Sequence, residues 1–189
     1  MKKNKPKLIL IDGYTGAGKS TALGIFRKLL GEDFNYIKKY TTRTPRAEEM
    51  SREVFCESVF LSPLKFVNRE LDFVYKKEGI YYGIDKKEIQ ILLENKYVFL
   101  VANEYFRKQM LLHYKSSTDI KQIFIQTSKK NRIIRIQKTE HGKGQGETRL
   151  RKLHSNVARK DNDFDYIINN DSTIDDLSKN ISNLISSSL

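Results

Sequence analysis

Apolar residues along this chain follow two alternating rhythms: short unbroken runs, and patterns that return every three or four positions. The first run, Leu8-Ile9-Leu10-Ile11, is short and β-branched enough to be a buried parallel strand. A glycine-rich stretch follows, and then Ala22, Leu23, Ile25, Phe26, Leu29 and Leu30 recur at helical spacing. Gly31 is placed to cap that helix, and Phe34–Ile37 starts a second strand. Val54–Leu61 and Leu71–Tyr75 read as further strands, Gly79 as a turn, and Asp85–Asn95 as an amphipathic helix with Ile89, Leu92 and Leu93 on one face. Tyr97–Val101 is the next buried strand, Glu104–Tyr114 a helix and Ile120–Ile125 another strand. A helix starts at Ser128, a second covers 147–160, a last strand covers 164–168, and Ile174–Ile185 forms a final helix before a polar serine tail. Strands and helices alternate, which predicts an α/β fold with a central parallel sheet flanked by helices.

The chemistry lies between the first strand and the first helix. Gly13-Tyr14-Thr15-Gly16-Ala17-Gly18-Lys19-Ser20-Thr21 fits the spacing glycine, four residues, Gly-Lys-Ser/Thr, and its strand-before, helix-after context is the one that spacing requires. Glycines let backbone N–H groups turn toward one centre, and the helix N-terminus adds partial positive charge. The stretch therefore predicts a phosphate-binding loop of the P-loop NTPase kind. Residues 13–21 hold a nucleoside triphosphate, Lys19 reaches the β- and γ-phosphates as a catalytic cation, and the Ser20 hydroxyl is the Mg²⁺ ligand. ATP and Mg²⁺ are the expected cofactors.

Composition narrows the setting. The length of 189 residues fits one domain, and no apolar stretch reaches the ~20 residues of a membrane span. Cys56 is the single cysteine, which predicts a reducing, cytoplasmic location and a packing role for the thiol. His113, His141 and His154 have no metal-ligand spacing. Of the net charge of +12, most resides in residues 128–160, where eleven Lys/Arg face only Glu140 and Glu147. Such a concentration suits a polyphosphate ligand or a nucleic acid, and charge alone does not choose between them.

A second candidate binding element is Thr41-Thr42-Arg43-Thr44-Pro45-Arg46. Its two arginines straddle a proline that stiffens the loop, an arrangement suited to bidentate phosphate capture; a solvated basic loop is the plainer alternative. Taken with the glycine loop before it, Ile80-Tyr81-Tyr82-Gly83 after it and Asp165-Tyr166-Ile167-Ile168-Asn169-Asn170-Asp171 near the end, the chain resembles the guanylate kinase family over about residues 7 to 185. The resemblance implies one domain with a core of 1–39, 97–127 and 161–189, a mostly β acceptor-binding subdomain of about 40–96 and a basic lid of about 128–160. It implies that Arg43 and Arg46 bind the acceptor phosphate with the Tyr82 hydroxyl, and that Asn170 lies near the ATP base. It further implies that Arg135, Lys138 and Arg149 close over the transferring phosphoryl group, Lys138 standing where arginine is usual. The reaction implied is transfer of the γ-phosphoryl group of ATP to a small phosphorylated acceptor, a nucleoside monophosphate first, by a monomer or homodimer.

The chain departs from the family where guanine is read. The family uses carboxylates and a small hydroxyl there; Lys39 takes the hydroxyl position, Phe73 or Val74 the glutamate position, and Asn103 the end of the Leu100-Val101-Ala102-Asn103 strand. Each guanine donor left unpaired in a buried site costs about 1–3 kcal/mol, so strong preference for GMP is not expected. Asp72 and Glu104 are the acids near enough to substitute. Two other functions fit the same motifs: a sugar-phosphate kinase of the ribose 1,5-bisphosphate phosphokinase type, and a guanylate-kinase-like binding module without activity. A nucleic-acid partner ranks last, because the basic segment lacks interleaved aromatic residues.

Overall fold

The computed structural model describes residues 7–45, 49, 57–140, 153 and 163–189. Arg46, Cys56, Arg149, the glycine-rich stretch 142–146 and nearly all of the helix expected over 147–160 lie outside the described residues. Nine strands are described: β1 (Lys7–Asp12), β2 (Phe34–Tyr36), β3 (Lys39–Thr41), β4 (Ser58–Phe60), β5 (Phe73–Lys77), β6 (Ile80–Ile84), β7 (Tyr97–Val101), β8 (Asp119–Gln126) and β9 (Tyr166–Asn169). The helices are α1 (Lys19–Leu30), α2 (Pro63–Val67), α3 (Lys86–Leu92), α4 (Glu104–Tyr114), α5 (Lys129–Glu140) and α6 (Ile174–Ser188). The strands form a five-stranded sheet of order β2-β7-β1-β8-β9 and a four-stranded sheet of order β4-β3-β6-β5. In the larger sheet β2 pairs with β7, and β8 with β9, in parallel.

By packing, the chain falls into two compact units, residues 1–10 with 32–120, and residues 11–31 with 121–189. The first unit holds the smaller sheet. Its core gathers Leu8, Leu10, Ile37, Phe73, Ile84, Val98, Leu100 and Phe106. The expected strand over 71–75 begins two residues later, because Asp72 is occupied at the turn, accepting the Lys86 N–H at 2.8 Å. Two elements have no counterpart in the hydrophobic pattern. β3 is only three residues long, and α2 is a single turn started by the Ser62 side chain, which accepts from Lys65 N–H, with Pro63 at its first position.

Register decides which face of the small sheet each side chain takes. Thr41 and Tyr75 both stand opposite Tyr82, and Phe73 stands opposite Ile84. Directly paired residues share a face and alternate residues return to it, so Lys39, Thr41, Phe73, Tyr75, Tyr82 and Ile84 line one side. Tyr40, Tyr81 and Gly83 line the other, where Tyr81 packs against Phe66 of α2 with ring centroids 5.7 Å apart. A Cβ at Gly83 would lie 2.6 Å from Leu71 Cδ1, so that residue is glycine for space.

The second unit surrounds the start of α1. Ala22, Leu23 and Phe26 bury one face of that helix, which packs against α6 through Leu177 and Ile181. α6 opens with a capping box: Thr173 Oγ1 accepts from Asp176 N–H, and the Asp176 carboxylate accepts from Thr173 N–H. It runs through Ser188, three residues beyond the end expected from sequence.

Candidate active site

In the second unit, residues 13–21 turn from the end of β1 into α1. Gly18 is the N-cap of α1 with φ 90°, in the left-handed region, and a Cβ there would fall 2.3 Å from Asn170 Nδ2. Asn170 is buried, and its amide donates to Ala17 O at 2.8 Å. Thr127 Oγ1 donates to the same carbonyl at 3.1 Å. Two side chains beyond the loop thus fasten its middle. Asn170, implied by the resemblance to lie near the ATP base, is placed against the phosphate loop itself. Asp12, which the sequence reading passed over, ends β1 as a buried carboxylate whose Oδ1 accepts Gly13 N–H at 2.7 Å.

Lys19 Nζ donates to Gly13 O at 2.7 Å and to Tyr14 O at 3.0 Å. The ammonium therefore sits over the loop at its own backbone, beside the N–H groups of the helix start. The loop meets the requirements of a triphosphate: left-handed glycine at the cap, a cation held over the loop, and a hydroxyl, Ser20, in the first turn. Ser20 is the residue that would hold Mg²⁺ through the nucleotide. Tyr14 packs edge-on to Phe124 at 5.5 Å, with the Arg132 guanidinium 4.7 Å from its ring centroid. Arg132 is buried, and burial pulls its guanidinium below the usual arginine range.

Of the three expected lid cations, Arg135 is brought to the loop. Its Nη2 donates to Asn170 O at 2.7 Å, and its Nη1 would lie 3.5 Å from a Cβ at Gly18. Lys138 is exposed one turn further along α5, and Arg149 lies outside the described residues. The root of α5 is tied down by Asp171, whose carboxylate accepts from Ser128 N–H and from the Asn131 amide. Those hydrogen bonds, led by the Ser128 N–H, hold its carboxyl below the ordinary aspartate value.

The candidate acceptor site is in the first unit, on the sheet face that carries Tyr82. Arg43 follows β3; its Nη2 meets Glu49 Oε1 at 2.7 Å, its Nη1 donates to Thr44 O, and its guanidinium lies 5.1 Å from the Phe60 ring centroid. Arg46 lies outside the described residues. Tyr82 stacks on Tyr75 with centroids 5.0 Å apart and planes 11° apart, and Tyr75 also meets Tyr105 and Phe106.

The positions that the resemblance assigns to guanine reading, Lys39, Phe73 or Val74, and Asn103, all belong to this unit. Lys39 Nζ donates to Val101 O at 2.9 Å and lies 3.8 Å from Glu57 Oε2. Asn103 caps α4, its Oδ1 accepting from Phe106 N–H at 3.0 Å. Phe73 is buried in the core, and Tyr75 and Lys77 are the polar residues of β5 on this face. Burial raises the Tyr75 hydroxyl well above the normal tyrosine value, Tyr82 adds to this, and Asn103 opposes it. Of the acids singled out from sequence, Asp72 accepts the Lys86 N–H, and Glu104 pairs with Lys108 at 2.9 Å on the surface of α4. Tyr75 was not legible as a residue of this face, since only the β5–β6 register sets it opposite Tyr82, and Glu57 is placed by its approach to Lys39.

Behind the same sheet, the Tyr40 ring carries the Arg69 guanidinium at 3.8 Å, the Tyr40 hydroxyl donates to Glu88 Oε1, and Arg69 Nη2 meets Glu88 Oε1 at 3.0 Å. Burial, with the Glu88 hydrogen bond next, raises Tyr40 to about 12.

The guanylate kinase family model matches residues 5–188. A guanylate kinase of Chlamydia muridarum is 30% identical over 173 residues, covering 88% of this chain and 80% of that protein. A guanylate kinase of Mesoplasma florum is 29% identical over 189 residues, covering 94% of this chain and 60% of the relative. Among solved structures, guanylate kinase from Anaplasma phagocytophilum superposes with a TM-score of 0.62 at 18% identity, over 99% of this chain and 88% of that one. At that identity the likeness is one of fold. Among the described residues no helix is long and apolar enough to cross a membrane.

Proposed function

The chain belongs to the guanylate kinase family, and on that premise we propose that it transfers the γ-phosphoryl group of Mg²⁺·ATP to the phosphate of a nucleoside monophosphate without strong selection for guanine. The enzyme class, a nucleoside monophosphate kinase, comes with the family. The donor assignment rests on residues 13–21, where Lys19, Ser20 and the helix N-terminus offer the cations and donors that a triphosphate needs. When bound, Mg²⁺ neutralises phosphate charge; Ser20 would hold it, and Lys19 with Arg135 would offset the charge that remains. Arg149 and Lys138 belong to the same proposal as lid cations. Arg43, Arg46 and Tyr82 are the proposed acceptor-phosphate ligands, and Asn103 a residue at the acceptor base. A phosphate acceptor is already anionic, so positioning and charge neutralisation suffice and no general base is required.

The observation that carries the weak guanine selection is the identity of the groups at the three base-reading positions. Lys39, Phe73 or Val74, and Asn103 occupy them, and no one of them is a carboxylate. A coupled assay with ATP, Mg²⁺ and a panel of GMP, dGMP, AMP, CMP, UMP, dTMP and ribose 1,5-bisphosphate tests the proposal. Turnover of several nucleoside monophosphates is expected. A GMP preference of about 10³-fold or more, equivalent to about 4 kcal/mol, would overturn the weak selection. Turnover of ribose 1,5-bisphosphate alone would move the chain to the sugar-phosphate kinases, and silence across the panel to the binding modules.

A further inference from the structure

On the reading of residues 13–21 as a triphosphate loop, one peptide unit of that loop has to face a fixed way. The peptide between Ala17 and Gly18 is trans, so its C=O and its N–H point to opposite sides. Ala17 O points to the ends of β8 and β9, where Asn170 Nδ2 donates to it at 2.8 Å and Thr127 Oγ1 at 3.1 Å. An amide oxygen in the same place would face another acceptor, so nitrogen is the end of Asn170 that meets Ala17. Gly18 N–H is thereby turned away from both side chains, to the face of the loop left for phosphate oxygens. Ala17, Thr127 and Asn170 are all buried, so these hydrogen bonds are made out of bulk water. Thr127 has one hydroxyl hydrogen for three carbonyls, Gln126 O at 2.8 Å and Asn170 O at 3.3 Å being the others. Asn170 is therefore the main donor and Thr127 the lesser.

The opposite orientation is close at hand. Turning one peptide over changes ψ of Ala17 and φ of Gly18 and leaves the flanking chain nearly in place. Gly18, at φ 90°, accepts either hand, so the loop's own backbone does little to prevent the turn. A turned unit would present the Ala17 carbonyl, with its partial negative charge, to the triphosphate in place of an N–H. We infer that Asn170, seconded by Thr127, is a positioning residue that holds the Ala17–Gly18 peptide against this turn and so keeps an N–H before the triphosphate. The role differs from contact with the ATP base, which the resemblance implies for Asn170. The Asn170 main chain serves the same site: its carbonyl accepts from Arg135 Nη2 at 2.7 Å, and its N–H donates to Gln126 O at 2.8 Å. A side-chain substitution leaves both in place, so the orientation of the loop can be tested apart from Arg135.

The test is the dissociation constant of Mg²⁺·ATP, Mg²⁺·GTP and inorganic tripolyphosphate, measured by calorimetry on the full chain and on Asn170→Ala, Thr127→Val and Thr127→Ser, with thermal melting of each. Tripolyphosphate has no base and GTP has a different one, so the three probes separate base from phosphate. Asn170→Ala is expected to weaken all three by the same factor, about 10-fold, the scale of one buried hydrogen bond. Thr127→Val keeps the shape of the side chain and should weaken all three about 3-fold, whereas Thr127→Ser, which keeps the hydroxyl, should bind as the wild type does. Weakening of ATP in Asn170→Ala with tripolyphosphate held within about 2-fold would overturn the positioning role and return Asn170 to the base. Unchanged affinities for all three would overturn it as well, and a lowered melting temperature beside them would leave Asn170 a packing residue. Should Asn170→Ala not fold, Thr127→Val set against Thr127→Ser decides by the same pattern. A wild-type chain that binds none of the three probes would remove the triphosphate reading of the loop, and this role with it.

Discussion

Lys19 spans its own loop in the described structure, donating to the carbonyls of Gly13 and Tyr14. That contact shapes the loop but buries no part of the core, so the side chain can be exchanged without unfolding. Lys19→Met is expected to lower kcat by at least ~10²-fold, the scale of losing one charge-stabilising group, with a melting temperature close to wild type. Turnover near the wild-type rate would remove Lys19 from the phosphate site. Gly18→Ala is the converse case. Its Cβ would meet Asn170 Nδ2 at 2.3 Å in a left-handed backbone, so either the Asn170–Ala17 hydrogen bond breaks or the cap unwinds. A loss of more than about 1 kcal/mol in denaturant stability is expected together with weaker ATP binding. Unchanged stability would mean that the loop relaxes elsewhere. Arg43→Ala should raise the acceptor KM by roughly 10- to 100-fold and leave the ATP KM alone, which steady-state kinetics with each substrate varied would show. Equal weakening of ATP would place Arg43 at the donor.

At the scale of elements, the Tyr40–Arg69–Glu88 cluster ties β3 to the turn after α2 and to α3. Tyr40 is raised from 10.0 to about 12, and Tyr114 likewise to about 12, burial leading in both. A raised tyrosine favours the neutral form in the fold, so its stabilisation is complete below pH 10 and is lost as pH climbs from 10 toward 12. The urea midpoint is expected to fall between pH 9.5 and 11.5, and to fall less in Tyr40→Phe. An identical decline in the variant would clear Tyr40 of the effect. These elements also mark the limit of sequence reading. β1, the loop and α1 were legible because one apolar run, one glycine spacing and one helical stripe lie next to each other in the chain. β3 and α2 were not: three residues and one turn are too short to show a period, and only the Ser62-Pro63 start signal was there to read. At the site, Arg43 and Tyr82 carried family motifs, whereas Tyr75 is placed only by the β5–β6 pairing and Glu57 by its approach to Lys39.

At the scale of the whole molecule, the proposed donor and acceptor residues fall in different packing units, the loop 13–21 in one and Arg43 and Tyr82 in the other. Hydrogen exchange should report this division. Mg²⁺·ATP alone is expected to slow exchange chiefly within 11–31 and 121–189, and an acceptor nucleotide alone within 32–120; stabilisation at ligand concentrations of about 100 Kd approaches 2.7 kcal/mol. Protection of the same segments by both ligands would contradict the assignment of two sites. The second unit has a further property. Its glycine loop is fastened by Asn170, whose partner Ala17 lies 153 positions earlier. On a ribosome working at about 5–20 residues per second, roughly 8–30 s separate the emergence of Ala17 from that of Asn170. Throughout that interval the loop lacks one of its two fastenings, the other being Thr127. A ribosome stalled short of Asn170 would display a loop of the right sequence whose Ala17 carbonyl lacks that donor.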